Sequence, residues 1–400
     1  MIATCRSSMR EFHRYVARCA LIVAALPSAA MAAGAIDWTG CAVPTFGADK
    51  QAAIAACTSI VDRTDLSEAD RARALMVRGR AFHRAGDVDA AIRDFDATIK
   101  LMPNAPEPLL RRASAAFFKK DYRHAAELAE QVLRLDAKNS EAHDTLGTIA
   151  LVTRNYSMAK AEYDRAIEAD PNSVVSRFHR FELLMKVGAQ PEAIQELDDL
   201  LALNSADLDT KFLDFRGKDV SYRTLARLER ATMFEAMGRY EDSIKALDDL
   251  VRTDPGAIAY GWRGWYYSNR SQNNLALADL DKALSYDPNF AILHSLKGQV
   301  YLYTNEYERA IAAYTRSIDL HTDSPGSAYW SRSLALRALH RNEEAEKDAQ
   351  TAVAVDRHFL FRKSETLIKL GYLQPTTAST DVASAVRDAV HACMLDERCW

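Results

Sequence analysis

Residues able to do chemistry are spread along the chain rather than grouped. Ten histidines are present, and those such as His83, His143 and His294 show no i, i+4 pairing on one helix face. The zinc motif H-E-x-x-H is absent, as are the G-x-S-x-G elbow, the phosphate loop and the dinucleotide fingerprint. Acidic doublets such as Asp198-Asp199 and Asp248-Asp249 fall on amphipathic helical stretches and read as solvated faces. The expectation is a non-enzymatic protein with no cofactor and no metal. Cysteine is the remaining reactive type. Cys41, Cys57, Cys393 and Cys399 lie at the two ends of the chain, with no C-x-x-C among them. A four-cysteine zinc site or a redox pair would need them together, so disulfides are expected, and local pairing of Cys41 with Cys57 and of Cys393 with Cys399 closes the shortest loops.

The 400 residues are 48% hydrophobic and 26% charged, with only 15 glycines and 11 prolines, which fits a helix-rich globular chain and argues against turn-rich β architectures. Lysine and arginine (51) do not exceed aspartate and glutamate (55), so nucleic acid is not expected as a partner. Arg6, Arg10, Arg14 and Arg18 precede the apolar run from Cys19 to Met31, and Ala30-Met31-Ala32 fits a cleavage site. Residues 1–32 therefore read as a signal peptide, and the run, broken by Pro27, is too short for a membrane anchor. Cleavage would shift the formal charge from −4 to −7 by removing four arginines and Glu11. The expected location is periplasmic or secreted, an oxidising compartment in keeping with the even number of cysteines that remain.

What must position any site is a repeat. Ala91-Ile92, Ala125-Ala126, Ala159-Lys160, Ala193-Ile194, Ser243-Ile244, Ala276-Leu277, Ala310-Ile311 and Ala345-Glu346 recur at intervals of 34, 34, 34, 50, 33, 34 and 35 residues. The 50 is one period plus 16. Pro103, Pro171, Pro255 and Pro288 keep the same register and mark helix ends. Each period holds two stretches of apolar i, i+3, i+4 spacing joined by a short break, so each unit is a helix hairpin.

Gly79, Phe82, Ala91, Phe95 and Pro103 in one unit resemble the tetratricopeptide repeat. So do Gly147, Ala150, Ala159, Tyr163 and Pro171, and again Gly264, Tyr267, Ala276, Leu280 and Pro288. The small residues let paired helices approach; the large residue is expected to fill the gap toward the next unit. Repeats begin near Ala72, Pro106, Ser140, Val174, Thr224, Ala257, Ala291 and Gly326, with the small first-helix position taken by Phe181 and Ser333 in two of them. The layout is a signal peptide (1–32), an N-terminal cap with a half repeat (33–71), repeats 1–4 (72–207), an insertion (208–223), repeats 5–8 (224–358) and a C-terminal helical cap (359–400). The insertion, with Phe212, Phe215 and Tyr222, is expected to pack as an extra turn, the alternative being a binding loop. Leu367 to Leu373 with the following AVRDAVHAC is similar to a helical peptidoglycan-binding module, although Pro375 to Thr380 replace its Asp-Gly turns.

The resemblance implies an all-α, right-handed superhelical solenoid of about eight hairpins with disulfide-tied caps, whose first helices line a partner-binding groove. Carried over position by position, groove contacts would come from Met76, Arg80, His83 and Arg84, from Leu110, Phe117 and Phe118, and from Phe178, Glu182, Met185 and Lys186. Further along they would come from Trp265 and Asn269, from Gln299, Leu302 and Tyr303, and from Trp330 and Arg337. The seventh position is basic in seven repeats (Arg78, Arg112, Arg180, Arg230, Arg263, Lys297 and Arg332), Leu146 being the exception. Such a stripe could draw an anionic ligand or could pair with acids on neighbouring helices, the second being expected because acids are in excess. The functional expectation is a scaffold that binds a protein or peptide partner in the groove, with an envelope protein whose tail contacts peptidoglycan as the alternative.

Overall fold

The computed structural model describes residues 36–41, 50–213 and 219–356, with isolated positions between 359 and 392. The signal-peptide reading, Phe215, Cys393, Cys399 and most of the tail lie outside the described residues. The chain divides into two compact units, residues 1–233 and 234–400.

Unit 1 opens with α1 (Lys50–Val61), which buries Ala53, Cys57 and Ile60 on one face. Cys57 is bonded to Cys41, the local pairing expected at this end. The Arg71 guanidinium donates to the carbonyls of Val61 and Arg63, satisfying groups that the end of α1 leaves without intrahelical partners. Four hairpins follow: α2 (Glu68–Ala85) with α3 (Val88–Leu101), α4 (Pro106–Phe118) with α5 (Tyr122–Leu135), α6 (Ser140–Val152) with α7 (Tyr156–Ala169), and α8 (Val174–Val187) with α9 (Gln190–Ala202). The insertion buries Leu208, Val220 and Tyr222. After a short 3-10 turn (Ala206–Asp209), β1 (Lys211–Leu213) and β2 (Asp219–Ser221) form an antiparallel pair with Phe212 opposite Val220. The sequence carries the signal, since aromatic and β-branched residues flank Gly217-Lys218. α10 (Tyr222–Ala236) follows at once and carries the boundary between the units.

Unit 2 continues with α11 (Tyr240–Thr253), then α12 (Ala257–Asn269) with α13 (Asn273–Tyr286), α14 (Ala291–Tyr303) with α15 (Tyr307–Asp319), and α16 (Pro325–Ala338) with α17 (Asn342–Val355). Each unit is thus a stack of helix hairpins. The described parts of the tail pack on the last one: Phe359, Leu367, Ala389 and Val390 share a core cluster with Trp330, Ala349, Ala352 and Val353, covering its outer apolar face.

Two local rules make the hairpins. Where paired helices cross, glycine removes a clash: a Cβ on Gly147 would stand 2.6 Å from the Tyr163 ring, and one on Gly79 2.7 Å from the Phe95 ring. The large residue therefore fills a notch in its own repeat as well as facing the next, where Phe95 meets Ala115. At the inter-helix turn, every repeat puts its fifteenth residue in the left-handed region: Gly86, Lys120, Arg154, Gly188, Gly238, Ser271, Asn305 and His340. Only three of these are glycine, so five turns hold a side chain in a conformation that costs L residues about 1 kcal/mol. In the first three repeats Asp87, Asp121 and Asn155 then cap the second helix by accepting from the N–H three residues on.

Candidate functional site

Two ladders of charged side chains run through the hairpins. The first absorbs the basic seventh position. Arg78 donates to both oxygens of Asp94 at 2.8 and 2.7 Å, Arg263 to both of Asp279 at 2.7 and 2.8 Å, and Arg332 to both of Asp348 at 2.6 and 2.8 Å. Each acid lies sixteen residues on, upon the second helix of the same repeat. Arg180 bonds Glu196 in the same sense and reaches back to Asp164 at 2.9 Å. Arg112 and Lys297 pair with Asp96 and Asp281 on the preceding second helix, and Arg230 with Asp198. All seven cations are therefore held by carboxylates, and the stripe is an internal ladder between helices rather than a surface for an anionic ligand. Asp198 and Asp248, read as solvated, belong to it, Asp248 accepting from Arg263 at 2.9 Å.

The histidines show a related economy at the fourth position. His143 Nε2 lies 3.2 Å from the Ala137 carbonyl and His294 Nε2 2.9 Å from that of Pro288, while Arg177 Nε donates to Pro171 at 3.0 Å. Each side chain serves the carbonyl six residues earlier, at the turn between repeats.

The second ladder joins first helix to first helix, on the face where the groove is expected. In unit 1, Arg80 on α2 reaches Glu107 on α4 at 3.4 Å, and Arg111 on α4 reaches Glu141 on α6 at 3.0 Å. The His83 ring meets that of Phe118 edge-on at 4.9 Å, and Phe118 is 53% exposed. Burial, with Arg111 and Arg84 adding repulsion, pushes the His83 imidazole down to about 4. Burial and Arg111 likewise lower Arg80 and Arg84 from the ordinary arginine value.

Further along the same face, Asp144 on α6 accepts from His179 on α8, with both carboxylate oxygens 3.0 Å from Nδ1. The pair is almost wholly buried, at 4% and 3% exposure. Burial opposes charge on His179, but Asp144 and its hydrogen bond outweigh it and hold the imidazole up at about 9. Beside them burial, aided by Glu229 and Asp144, lifts the Glu182 carboxyl to about 7, against the pull of His179 and Lys186. Unit 2 has a pair of its own: Arg270 Nη2 bonds Glu235 at 2.6 Å, and the guanidinium lies over the Tyr240 ring at 3.5 Å.

The nominated groove residues divide accordingly. Phe118 and Lys186 in unit 1 and Asn269 and Tyr303 in unit 2 are exposed, while Arg80, His83, Arg84, Glu182, Met185, Trp265, Gln299, Leu302 and Arg337 are half-buried. Gln299 donates to the Tyr303 hydroxyl at 3.1 Å, setting the orientation of a ring that is 46% exposed. Others are corrected. Phe178 is 2% exposed, because repeat 4 is followed by the insertion and Tyr222 covers it with ring centres 5.7 Å apart. Trp330 is 7% exposed, sealed by Phe359 of the tail. Leu110 is core, while Phe117, packed on Tyr122 at 5.3 Å, and Met76, against the cluster of Ala91, Phe95 and Ala115, are half-buried like Arg80 and His83. Sequence reasoning missed Arg111, Asp144, His179 and Glu229. Three of these stand at the sixth position of their repeats, which the resemblance does not assign to the groove. Among the described residues no group of three His, Cys, Asp or Glu is placed to hold a metal, and no helix is long and apolar enough to cross a membrane.

The tetratricopeptide repeat model matches residues 48–106, 110–174, 228–289, 263–328 and 295–357, more than half of the chain. The chain belongs to the tetratricopeptide repeat family. Similar proteins include U-box domain-containing protein 70 of Oryza sativa subsp. japonica, 24% identical over 60% of this chain and 28% of that protein. DnaJ homolog subfamily C member 3 of Gallus gallus is 22% identical over 59% of this chain and 50% of its own length. Hsp70-Hsp90 organizing protein 2 of Arabidopsis thaliana is 22% identical over 54% and 35%. The chain thus spans half or less of these relatives. A tetratricopeptide repeat protein from Parabacteroides merdae shares 19% identity over 66% of this chain and 98% of that one, with a TM-score of 0.44.

Proposed function

We propose that this tetratricopeptide repeat protein is a non-enzymatic scaffold that holds a segment of a protein partner along its first-helix face. The observation that carries the reading is that large aromatic side chains stay exposed on the first-helix face after its charges have been paired. Between paired helices every seventh-position cation meets an acid. On the first-helix face Arg80 is likewise paired, to Glu107, but the rings of Phe118 and Tyr303 stand exposed, 53% and 46%, where a partner can reach them. Large exposed aromatic and arginine side chains are the types that dominate protein interfaces. The Cys41–Cys57 disulfide and the leader-like residues 1–32 support a site of action outside the cytoplasm.

The test is to crosslink the protein in its native compartment and compare wild type with an Arg80→Ala, Trp265→Ala, Tyr303→Ala variant. A defined protein that co-purifies with wild type and is lost from the variant, at unchanged melting temperature, is the expected result. A partner retained equally by both, or none at all, overturns the reading.

A further inference from the structure

The inter-helix turns of repeats 2 to 4 stand apart from the rest of the chain in charge. Residues 117–122, 151–156 and 185–190 hold four bases, Lys119, Lys120, Arg154 and Lys186, and one acid, Asp121, in a chain of formal charge −4. Asp121 is engaged as the cap of α5, and Lys119 forms a surface pair with Asp89 at 2.5 Å. Lys186 attracts Glu182 without bonding it. Lys120 and Arg154 are exposed and meet no carboxylate among the described residues. At the equivalent turns of unit 2, by contrast, Arg239, Arg270 and Arg341 bond Asp242, Glu235 and Glu344. Backbone strain sits at the same two residues. Lys120 and Arg154 hold φ at 62° and 64°, where the flanking repeats use Gly86 and Gly188. Neither has the short polar side chain that eases an L residue into the left-handed region. Strain that glycine would remove, kept at two successive exposed turns, points to side chains retained for what they touch outside the fold. Apolar side chains alternate with these bases. Val152 and Val187, the last residues of α6 and α8, are 41% and 49% exposed, and Met158 in the first turn of α7 is 41% exposed. Phe118, at the margin of the first-helix face, continues the row in repeat 2.

We propose that this edge of unit 1 docks on a membrane surface rich in anionic lipid. Val152, Val187 and Met158 enter the boundary between headgroups and acyl chains, while Lys120, Arg154 and Lys186 stay at the lipid phosphates, as in other interfacial anchors. Turns of successive hairpins follow one another at roughly the spacing of packed helices, about 10 Å, so three of them present a row rather than a point. A row of projecting turns has no second wall to enclose a peptide, whereas a plane meets all of it at once. A membrane is therefore favoured over an acidic protein. Four bases against one acid at these turns supply a local attraction to anionic headgroups that the chain as a whole, at −4, does not. The proposal goes beyond the scaffold reading and leaves the first-helix face free to hold a partner.

Flotation of the full chain with vesicles tests it, using phosphatidylcholine alone or mixed in equal parts with phosphatidylglycerol. Two variants are compared with wild type. Lys120→Gly with Arg154→Gly removes charge and backbone strain together, so a loss of binding cannot come from a weakened fold; Val152→Ser with Val187→Ser removes apolar contact. Phe118 is left intact, which keeps the first-helix face unchanged. Any affinity contributed by the apolar run 19–31 is common to all three proteins. Wild type should bind the mixed vesicles more tightly than phosphatidylcholine, and less tightly as salt rises. The glycine variant should bind the mixed vesicles about 30-fold more weakly, two basic residues at roughly fivefold each. The serine variant should also bind more weakly. An environment-sensitive fluorescent amino acid at Val152 should shift to the blue on the mixed vesicles, whereas the same probe at the exposed Lys138, in the turn between repeats 2 and 3, should not. Equal binding by wild type and the glycine variant, affinity indifferent to phosphatidylglycerol, or no shift at Val152 each overturns the proposal. So does capture of an acidic protein through Lys120 and Arg154 in place of vesicles. None of these outcomes touches the scaffold reading, which fails only if no partner is captured through the first-helix face in the native compartment.

Discussion

Replacing Asp144 by Asn keeps the shape of a buried contact and removes the charge that sustains it. His179 stands at about 9 in the folded protein against an ordinary 6.5, with Asp144 3.0 Å away. A raised imidazole contributes stability that is fully present below the unfolded value of 6.5 and is lost as pH rises through about 9. The difference of 2.5 units corresponds to about 3 kcal/mol at 1.36 kcal/mol per unit. In the variant, burial acts on the ring against only the weaker pull of Glu182, and its proton leaves at lower pH. At about 2–4 °C per kcal/mol for a unit of this size, the variant should melt roughly 6–12 °C below wild type at pH 6. The gap should close steadily toward pH 10, where His179 is neutral in both proteins. Circular dichroism melts at intervals between pH 6 and 10 give the curve, and hydrogen exchange in α6 and α8 localises it. A gap that stays constant across that range would show that Asp144 acts by shape or hydrogen bonding alone and would refute the electrostatic account.

Glu182→Gln has the opposite pH signature: burial lifts the carboxyl to about 7, so its ionisation weakens the fold as pH rises from the ordinary 4.5, and the variant should be equal to wild type at pH 4.5 but more stable by up to about 3 kcal/mol at pH 8, measured by chemical denaturation. Gly147→Ala drives a methyl to 2.6 Å from the Tyr163 ring and should cost about 1–3 kcal/mol in the same assay, with repeat 3 losing exchange protection first. Lys120→Gly and Arg154→Gly relieve left-handed backbone strain and should each stabilise by up to about 1 kcal/mol, visible as a higher melting temperature. Cys57→Ser opens a link of sequence separation 16 and should destabilise the cap by about 3 kcal/mol, seen as faster proteolysis near α1 while the later repeats stay protected.

The hairpins were readable from sequence because their constraints are local. Ala91, Ala159 and Ala276 pack where nothing larger fits, and Gly79, Gly147 and Gly264 face a large partner on the adjoining helix, so the period shows directly in the residues. The turn at position fifteen was only partly visible, since Lys120, Arg154 and His340 adopt a conformation that their side chains do not advertise. The first-helix face was harder still. Arg80–Glu107, Arg111–Glu141 and Asp144–His179 join residues 27 to 35 apart, and which of them meet depends on how one hairpin is rotated on the next. Position-by-position transfer found Arg80 and His83 but passed over Arg111 and His179 beside them. It also placed Phe178 and Trp330 in the groove, where Tyr222 of the insertion and Phe359 of the tail cover them.

The central claim is that a protein partner lies along the first-helix face. Photo-crosslinking amino acids placed singly at His83, Trp265 and Tyr303, and on the second-helix side at the exposed Arg123 and Lys160, would read contact directly in the native compartment. The account predicts a discrete crosslinked protein from the first three positions and none from the last two. Crosslinks from Arg123 and Lys160 alone, or the same products from all five, would contradict it.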